Sequence, residues 1–458
     1  MQDLKTGPLG DVEGPLPHRG NVLEGTPRGA PLKAVLVATV DGGNGAAIGA
    51  YRLHRGLRRL NIDSKIFVAE KRGDDPDVIA FQPPLDLGSR LQRGLRRARM
   101  TISMARYRQA RSPGLETFSD DRSEHGADVL AQLPAGDVVH LHAMLDFIDY
   151  RVFYSHVPTH TPVVRTLRDI SSFTGGCHVN GDCTKYTARC GACPQLGSRD
   201  EHDLSRRIWE RKRAAFDSIA PGRLHIVATS WWTAGEARRS SLLSHLPITV
   251  IPNALDTEAF CPRDRSWARA VLGIPQNVRV VLFVAEPLTR RLKGFAVLAQ
   301  ALERLRHMPG LLLVSVGSGD PPATVNVPYL NLGHIGQERL LSLAYSAADV
   351  FAIPSSQEAF GQTALESIAC GTPVVGFAVG GIVDTVRPGA TGVLVPAGDA
   401  KALGSAIADL LDDPSTRSKL AASCRRIAVE EYALEIQARR YAELYRSLLA
   451  APRTGGRR

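Results

Sequence analysis

PSSQEAFGQTALESIACGTPVVG, Pro354 to Gly376, is the stretch on which the fold is read. It follows a short apolar run, Val350 to Ile353, of the kind a buried strand makes. Its Ala-Phe-Gly bend opens a helical pattern that stops at Gly371, with Pro373 just beyond. Glycine at the stop and proline after it are helix C-terminal signals, so the reading is strand, loop, helix, strand. Glu358 falls in the loop and Glu366 on the new helix. The amides of Phe360, Gly361 and Gln362 lie between them at a helix N-terminus, where unpaired N–H groups make a seat for phosphate. One carboxylate then faces one end of a phosphate-bearing ligand and the second faces the other end.

Glu358 and Glu366 match an E-x7-E pattern. The wording around it, EAFGQTALESIACGTPVV followed by GGIVDTVRPGATGVLVP from Gly380 to Pro396, resembles the retaining glycosyltransferases of family 4. The resemblance implies an α/β protein of the GT-B fold, two Rossmann-like domains with parallel sheets facing a central cleft. It also implies that Glu358 contacts the donor sugar and Glu366 the ribose hydroxyls. Two glutamates at this spacing are by themselves only a solvated helix face; the longer string carries the resemblance.

At 458 residues, 44% hydrophobic and 22% charged, the chain has ordinary globular composition and is too long for one core. The expected division is a disordered leader over 1–30, an acceptor-side domain over 31–252, a nucleotide-sugar domain over 253–432, and over 433–458 a helix crossing back to the first domain with a basic tail. The leader has six Gly, four Pro and no apolar core of a signal peptide, and no apolar run approaches the roughly 20 residues a membrane span needs. A cytoplasmic protein is expected. Of the net charge of +10, the segment 31–252 carries 31 basic against 23 acidic residues, or +8. With no zinc-finger, helix-turn-helix or RNA-binding aromatic motif, that bias points to anionic substrates or an anionic membrane and not to nucleic acid.

Lys33 to Val40 reads as a buried strand entering Asp41-Gly-Gly-Asn-Gly45 and then an Ala-rich helix to about Leu60. Such a loop lets backbone approach a ligand at the carboxyl edge of a parallel sheet. It lacks the dinucleotide spacing, and no acidic residue is expected to close the next strand. By resemblance Gly43 and Gly45 lie beside the donor phosphates and the acceptor. Arg90 to Arg111 holds eight Arg and no acid, interspersed with Leu91, Leu95, Ile102 and Met104; an amphipathic basic helix of this kind can lie on anionic lipid, or be a solvated face with snorkelling arginines. Asp137 to Leu141 is a strand with His142 at its carboxyl end. His140, deeper on the same face, is read as structural. The family's H-L-H pattern places its acceptor-side histidine at His142, which positions the sugar and stabilises developing charge. The resemblance makes the leaving phosphate the base, and a general-base role for His142 stays open on pKa grounds.

Residues 173–196, FTGGCHVNGDCTKYTARCGACPQL, read as a Cys-rich insertion. Cys177, Cys183, Cys190 and Cys193 have the spacing C-x5-C-x6-C-x2-C, which fits a structural zinc knot; reduced thiols and disulfides are the other two readings. The segment resembles one in an exopolysaccharide, colanic-acid-type subgroup of family 4, where TLHD precedes it. Here the string is TLRD, with Arg168 at the histidine position. In the second domain Lys293-Gly294 starts a helix, and by resemblance Lys293 with Arg290 or Arg291 clamps the diphosphate.

The function expected is transfer of a sugar from a nucleotide-diphosphate donor to a hydroxyl of a saccharide or lipid-linked acceptor, in cell-surface polysaccharide biosynthesis. No cofactor is expected for catalysis, since no Asp-x-Asp clamp lies near the phosphate site; zinc enters only as a structural ion. The alternative is a non-catalytic carbohydrate- or nucleotide-binding scaffold on the same fold.

Overall fold

The computed structural model describes residues 31–111, 114–321 and 323–451. The leader and residues 452–458 of the basic tail lie outside the described residues. From Leu32 on, the described residues form one compact unit, built on two parallel sheets. The first contains β1 (Lys33–Val40), β2 (Asp63–Glu70), β3 (Val78–Ala80), β4 (Val138–Leu141), β5 (Val163–Leu167), β6 (Leu224–Ala228) and β7 (Ile248–Val250), in the order β3-β2-β1-β4-β5-β6-β7. The second contains β8 (Arg279–Val284), β9 (Leu311–Val316), β10 (Tyr329–Asn331), β11 (Val350–Ile353), β12 (Val374–Phe377) and β13 (Gly392–Val395), in the order β10-β9-β8-β11-β12-β13. The inner strands are Val/Ile/Leu-rich and mostly buried, as parallel strands covered on both faces must be, while the edge strands β3, β7, β10 and β13 are only partly covered. The architecture is the GT-B α/β arrangement, two Rossmann-like lobes.

Both strand orders reverse direction once. In the first sheet the reversal falls between β1 and β4, and in the second between β8 and β11. Loops leaving the carboxyl ends of the two strands at such a point diverge to opposite faces and leave a crevice, where open α/β sheets bind ligands. The loops leaving β1 and β4 carry Gly43, Gly45 and His142. Those leaving β8 and β11 carry Arg290, Arg291, Lys293 and Glu358.

Helix α1 (Gly45–Arg59) follows the glycine loop and is capped by Asn44, whose side chain accepts from the Ala47 amide at 3.0 Å. Its Leu53 and Leu57 pack on one face of the first sheet together with Tyr441 and Tyr445 of the helix Leu434–Ala450. A Cβ at Gly56 would stand 2.8 Å from the Leu434 carbonyl, so the close helix contact requires glycine there. Strand β2 does close on an acid, against expectation: Glu70, whose carboxylate is held by Arg72 at 3.0 Å.

Helix α2 (Leu87–Ala105) is capped by Asp86 and has no buried residue. Leu87, Leu91, Leu95 and Ile102 are 82%, 64%, 52% and 70% exposed. At 100° per residue they form one stripe, while Arg97 on the opposite side pairs with Glu124. Among the described residues no helix is long and apolar enough to cross a membrane.

Candidate functional site

Lys293 and Glu358 meet at the second-lobe crevice, with Nζ 2.5 Å from Oε1, and Ser355 Oγ donates to the same oxygen at 3.0 Å. The ammonium ends a short turn, Arg291–Lys293. Gly294 then takes φ +76° and lies against Pro354, where a Cβ would stand 1.9 Å from the carbonyl oxygen. That close approach brings the β8 loop onto the β11 loop and the cation onto the carboxylate. The Gly380-Gly381 turn secures Glu358 from behind, since the Gly381 amide donates to the Glu358 carbonyl at 2.8 Å.

The helix Gln362–Ala369 begins at Gly361, φ +84°, with no side-chain cap. The amides of Phe360, Gly361 and Gln362 have no acceptor among the described residues. The Phe360 side chain is buried in the second-lobe core, so only its backbone faces the bend.

Glu366 lies one turn further and is buried. Its Oε1 accepts from Arg52 Nη2 at 2.8 Å and its Oε2 from the Tyr345 hydroxyl at 3.1 Å. Burial raises its pKa, and the Arg52 charge opposes that rise. Arg52 comes from α1 in the other lobe; its Nε donates to Glu338 at 2.8 Å, so one guanidinium bridges two second-lobe helices. Gln362 Nε2 donates to the Gly45 carbonyl at 2.7 Å, which joins the glycine loop to the start of the donor-side helix. Ser230 and Thr233 donate to the Ala359 carbonyl at 2.6 and 3.1 Å. The first lobe thus touches the segment between Glu358 and Glu366 from two directions.

In the first lobe, His140 is fully satisfied: Nδ1 lies 2.6 Å from the Tyr445 hydroxyl and Nε2 2.7 Å from the Thr166 hydroxyl. That is the structural role expected of it. His142 stacks on it with ring centroids 4.0 Å apart and is buried. Burial, with the neighbouring His140 and Arg168, holds the His142 pKa well below the usual value. Arg168 Nη2 lies 2.8 Å from His142 Nδ1, and its Nη1 hydrogen-bonds Asn253 Oδ1.

Of the residues singled out in the sequence, the structure brings together Lys293 with Glu358, and Gly45 with Gln362. Gly43 lies in the same loop as Gly45, beside Arg72. Arg290 is drawn elsewhere: it pairs with Glu116 of the first lobe at 2.7 Å. The Arg291 side chain lies against Gly114. Arg52, Tyr345, Glu338 and Asn253 were not singled out as site residues. The legible signal for Arg52 was an arginine on the apolar face of α1, between Ala50 and Leu53.

Cys177, Cys183, Cys190 and Cys193 line one cavity of about 20 Å³, and the Gly175 amide donates to Cys190 Sγ at 3.1 Å. Burial pushes the Cys177 and Cys190 thiols up to about 12, and all four are free of disulfides. The donor set suits a soft metal. Tetrahedral zinc, with Zn–S near 2.3 Å, needs sulfurs about 3.8 Å apart. Among the described residues the one group of three ligand atoms all within 4.8 Å of one another is His54, Asp75 and Asp77, so the sulfur spacing as it stands is wider than a zinc site requires.

Residues 264–427 match the family model described as Glycosyl transferases group 1. Over 236 residues the chain is 35% identical to the D-inositol 3-phosphate glycosyltransferase of Thermobispora bispora, an alignment covering 47% of this chain and 55% of that protein. The chain therefore spans about half the length of the curated relatives it matches. Among solved structures, sucrose-phosphate synthase from Thermosynechococcus elongatus has a TM-score of 0.64 at 22% identity, covering 92% of this chain and 100% of that one. Anabaena HepE, in complex with UDP-glucose, has a TM-score of 0.61 at 17% identity, covering 91% and 100%. The chain has the GT-B fold, and its segment 264–427, which includes Lys293, Glu358 and Glu366, is similar to the group 1 glycosyl transferases.

Proposed function

We propose that this protein is a retaining glycosyltransferase that moves a sugar from a nucleotide-diphosphate donor to an acceptor hydroxyl. The observation that carries the reading is the Lys293–Glu358 pair at the reversal point of the second sheet, followed one helix turn after the bend by Glu366. Glu358 would face the donor sugar. The Lys293 ammonium and the free amides at 360–362 would meet the diphosphate, whose negative charge grows as the sugar leaves; fixed donors aimed at developing charge are the largest single contribution in many enzymes. Glu366 would take the ribose hydroxyls in exchange for the contacts it now makes with Arg52 and Tyr345. Lobe contact over the bend excludes water that would hydrolyse the donor.

Support for a nucleotide sugar comes from the family match and from HepE, which binds UDP-glucose. For the acceptor, the curated relatives act on D-inositol 3-phosphate, and the basic first lobe suits an anionic acceptor of that kind as well as a lipid-linked saccharide of a cell-surface polysaccharide. The exposed apolar stripe of α2, flanked by Arg90 and Arg99, would set the protein on the inner face of an anionic membrane. In this reading transfer needs no divalent metal. Turnover assays on Lys293→Met and Glu358→Gln test the reading. Each is expected to lose on the order of 100-fold or more in kcat, in line with loss of one transition-state donor; unchanged turnover in both would overturn it.

A further inference from the structure

Arg168 stands after β5, where its side chain reaches the ring of His142. Its Nη2 and Nε lie 2.8 and 3.3 Å from His142 Nδ1, and its third nitrogen bonds Asn253. A guanidinium has donors and no lone pair, so the direction of these bonds is fixed: His142 Nδ1 must be the acceptor. In a neutral imidazole the proton then sits on Nε2. That nitrogen is buried and has no partner among the described residues. The groups facing the ring are His140, Arg168 and Arg165, two of them cations and none a carboxylate that would favour a charged imidazole.

We propose that Arg168 is a positioning residue that locks His142 as the neutral Nε2–H tautomer, so that His142 serves the reaction as a hydrogen-bond donor and not as a general base. Its one lone pair is occupied by Arg168, and its free edge offers a proton to a ligand oxygen. An acceptor hydroxyl cannot pass its proton to a ring in this state, which agrees with the leaving phosphate that the resemblance already makes the base. The inference about mechanism rests on the transfer reading above; the tautomer does not.

Long-range proton–nitrogen NMR on the ¹⁵N-histidine-labelled full chain reads the tautomer directly, with His142 assigned by its loss in His142→Gln. The expected spectrum has a pyridine-type Nδ1 and a proton-bearing Nε2, unchanged between pH 7.5 and 5.5. In Arg168→Met the ring is expected to lose this fixed pattern, because Nδ1 no longer faces an obligatory donor, while burial and His140 still hold its pKa low. A proton on Nδ1 in the unaltered protein overturns the proposal, whether or not the variant folds, and so does an Arg168→Met spectrum identical to the original. Where turnover is measurable, kcat is expected to show no histidine inflection between pH 6 and 8 in the original protein. An inflection near 6.5 in the original protein that vanishes in His142→Gln would show a base and end the proposal. Absence of transfer with any donor would leave the NMR result standing and count against the transferase reading alone.

Discussion

Both oxygens of the Glu366 carboxylate have partners from other elements, Arg52 and Tyr345. The Arg52 and Glu366 side chains are 3% and 7% exposed, and breaking a buried pair from one side leaves a charge without compensation. Arg52→Met is therefore expected to destabilise the fold by about 3 kcal/mol, and the double variant Arg52→Met/Glu366→Gln by less than that single one; urea unfolding of the original protein, both single variants and the double variant measures this. A double variant that is weaker by the full sum would show that the two residues do not act as a pair. The buried histidines give a pH dependence. His140 and His142 have folded pKa values below the ordinary 6.5, so the unfolded chain takes up protons first. Their contribution is whole above about pH 6.5 and is lost as pH falls toward the depressed values. The melting temperature should fall between pH 7 and 5, with a smaller fall in His140→Gln, whose amide can still meet the Tyr445 and Thr166 hydroxyls. At this scale the sequence was legible where residue type and loop position coincide, as for Lys293 and Glu358. It was silent on Arg52, because a partner 314 positions away in the chain is set by lobe packing and leaves no local spacing.

Helix α2 shows how an element can be legible in kind while its surroundings are not. Eight arginines and interspersed aliphatics over 90–111 read as an amphipathic basic helix; the helix is Leu87–Ala105, and Arg106, Arg108 and Arg111 lie in the turns beyond it. What the sequence could not give was which side packs. Arg97 and Arg93 reach along the surface to Glu124 and the Pro84 carbonyl, with the Arg97 side chain still 69% exposed, while the aliphatic stripe faces outward. Sedimentation with vesicles containing anionic lipid is expected to pellet the protein at low salt and less of it at physiological salt, since surface charge attraction is screened over roughly 8 Å there. Leu91→Asp/Leu95→Asp should abolish pelleting without changing the melting temperature by more than a degree or two, because neither side chain is buried. Equal pelleting of the variant, or none of the original protein, would remove the membrane from the account. The helix Gln362–Ala369 was legible at both ends, from its glycines. The cysteine insertion was legible as a cluster around one cavity, but spacing along a loop with several left-handed glycines does not fix where sulfurs point.

At the scale of the molecule, the parallel strands could be read because continuous Val/Ile/Leu runs alternate with helical patterns, and the glycine exits mark their carboxyl ends. Strand order could not, since it depends on which crossovers the chain takes. Yet the order explains why residues from the β8 and β11 loops converge, and why His142 emerges beside the glycine loop. The lobes meet through Arg52 with Glu366, Gln362 with Gly45, and Arg290 with Glu116. Two of these contacts use residues that the proposed donor would need, so donor binding and lobe contact are expected to compete for them. A transfer assay in excess chelator should run at the same rate as one with magnesium, and a loss of more than tenfold that magnesium restores would contradict the metal-free reading.

The most direct test is binding of nucleotide-diphosphate sugars to the original protein and to Lys293→Met and Glu358→Gln, followed by thermal shift across a panel of bases and sugars. At least one donor is expected to raise the melting temperature of the original protein, with the shift lost or sharply reduced in both variants. No shift with any donor, or a shift that survives both substitutions, would contradict a donor site at the Lys293–Glu358 crevice.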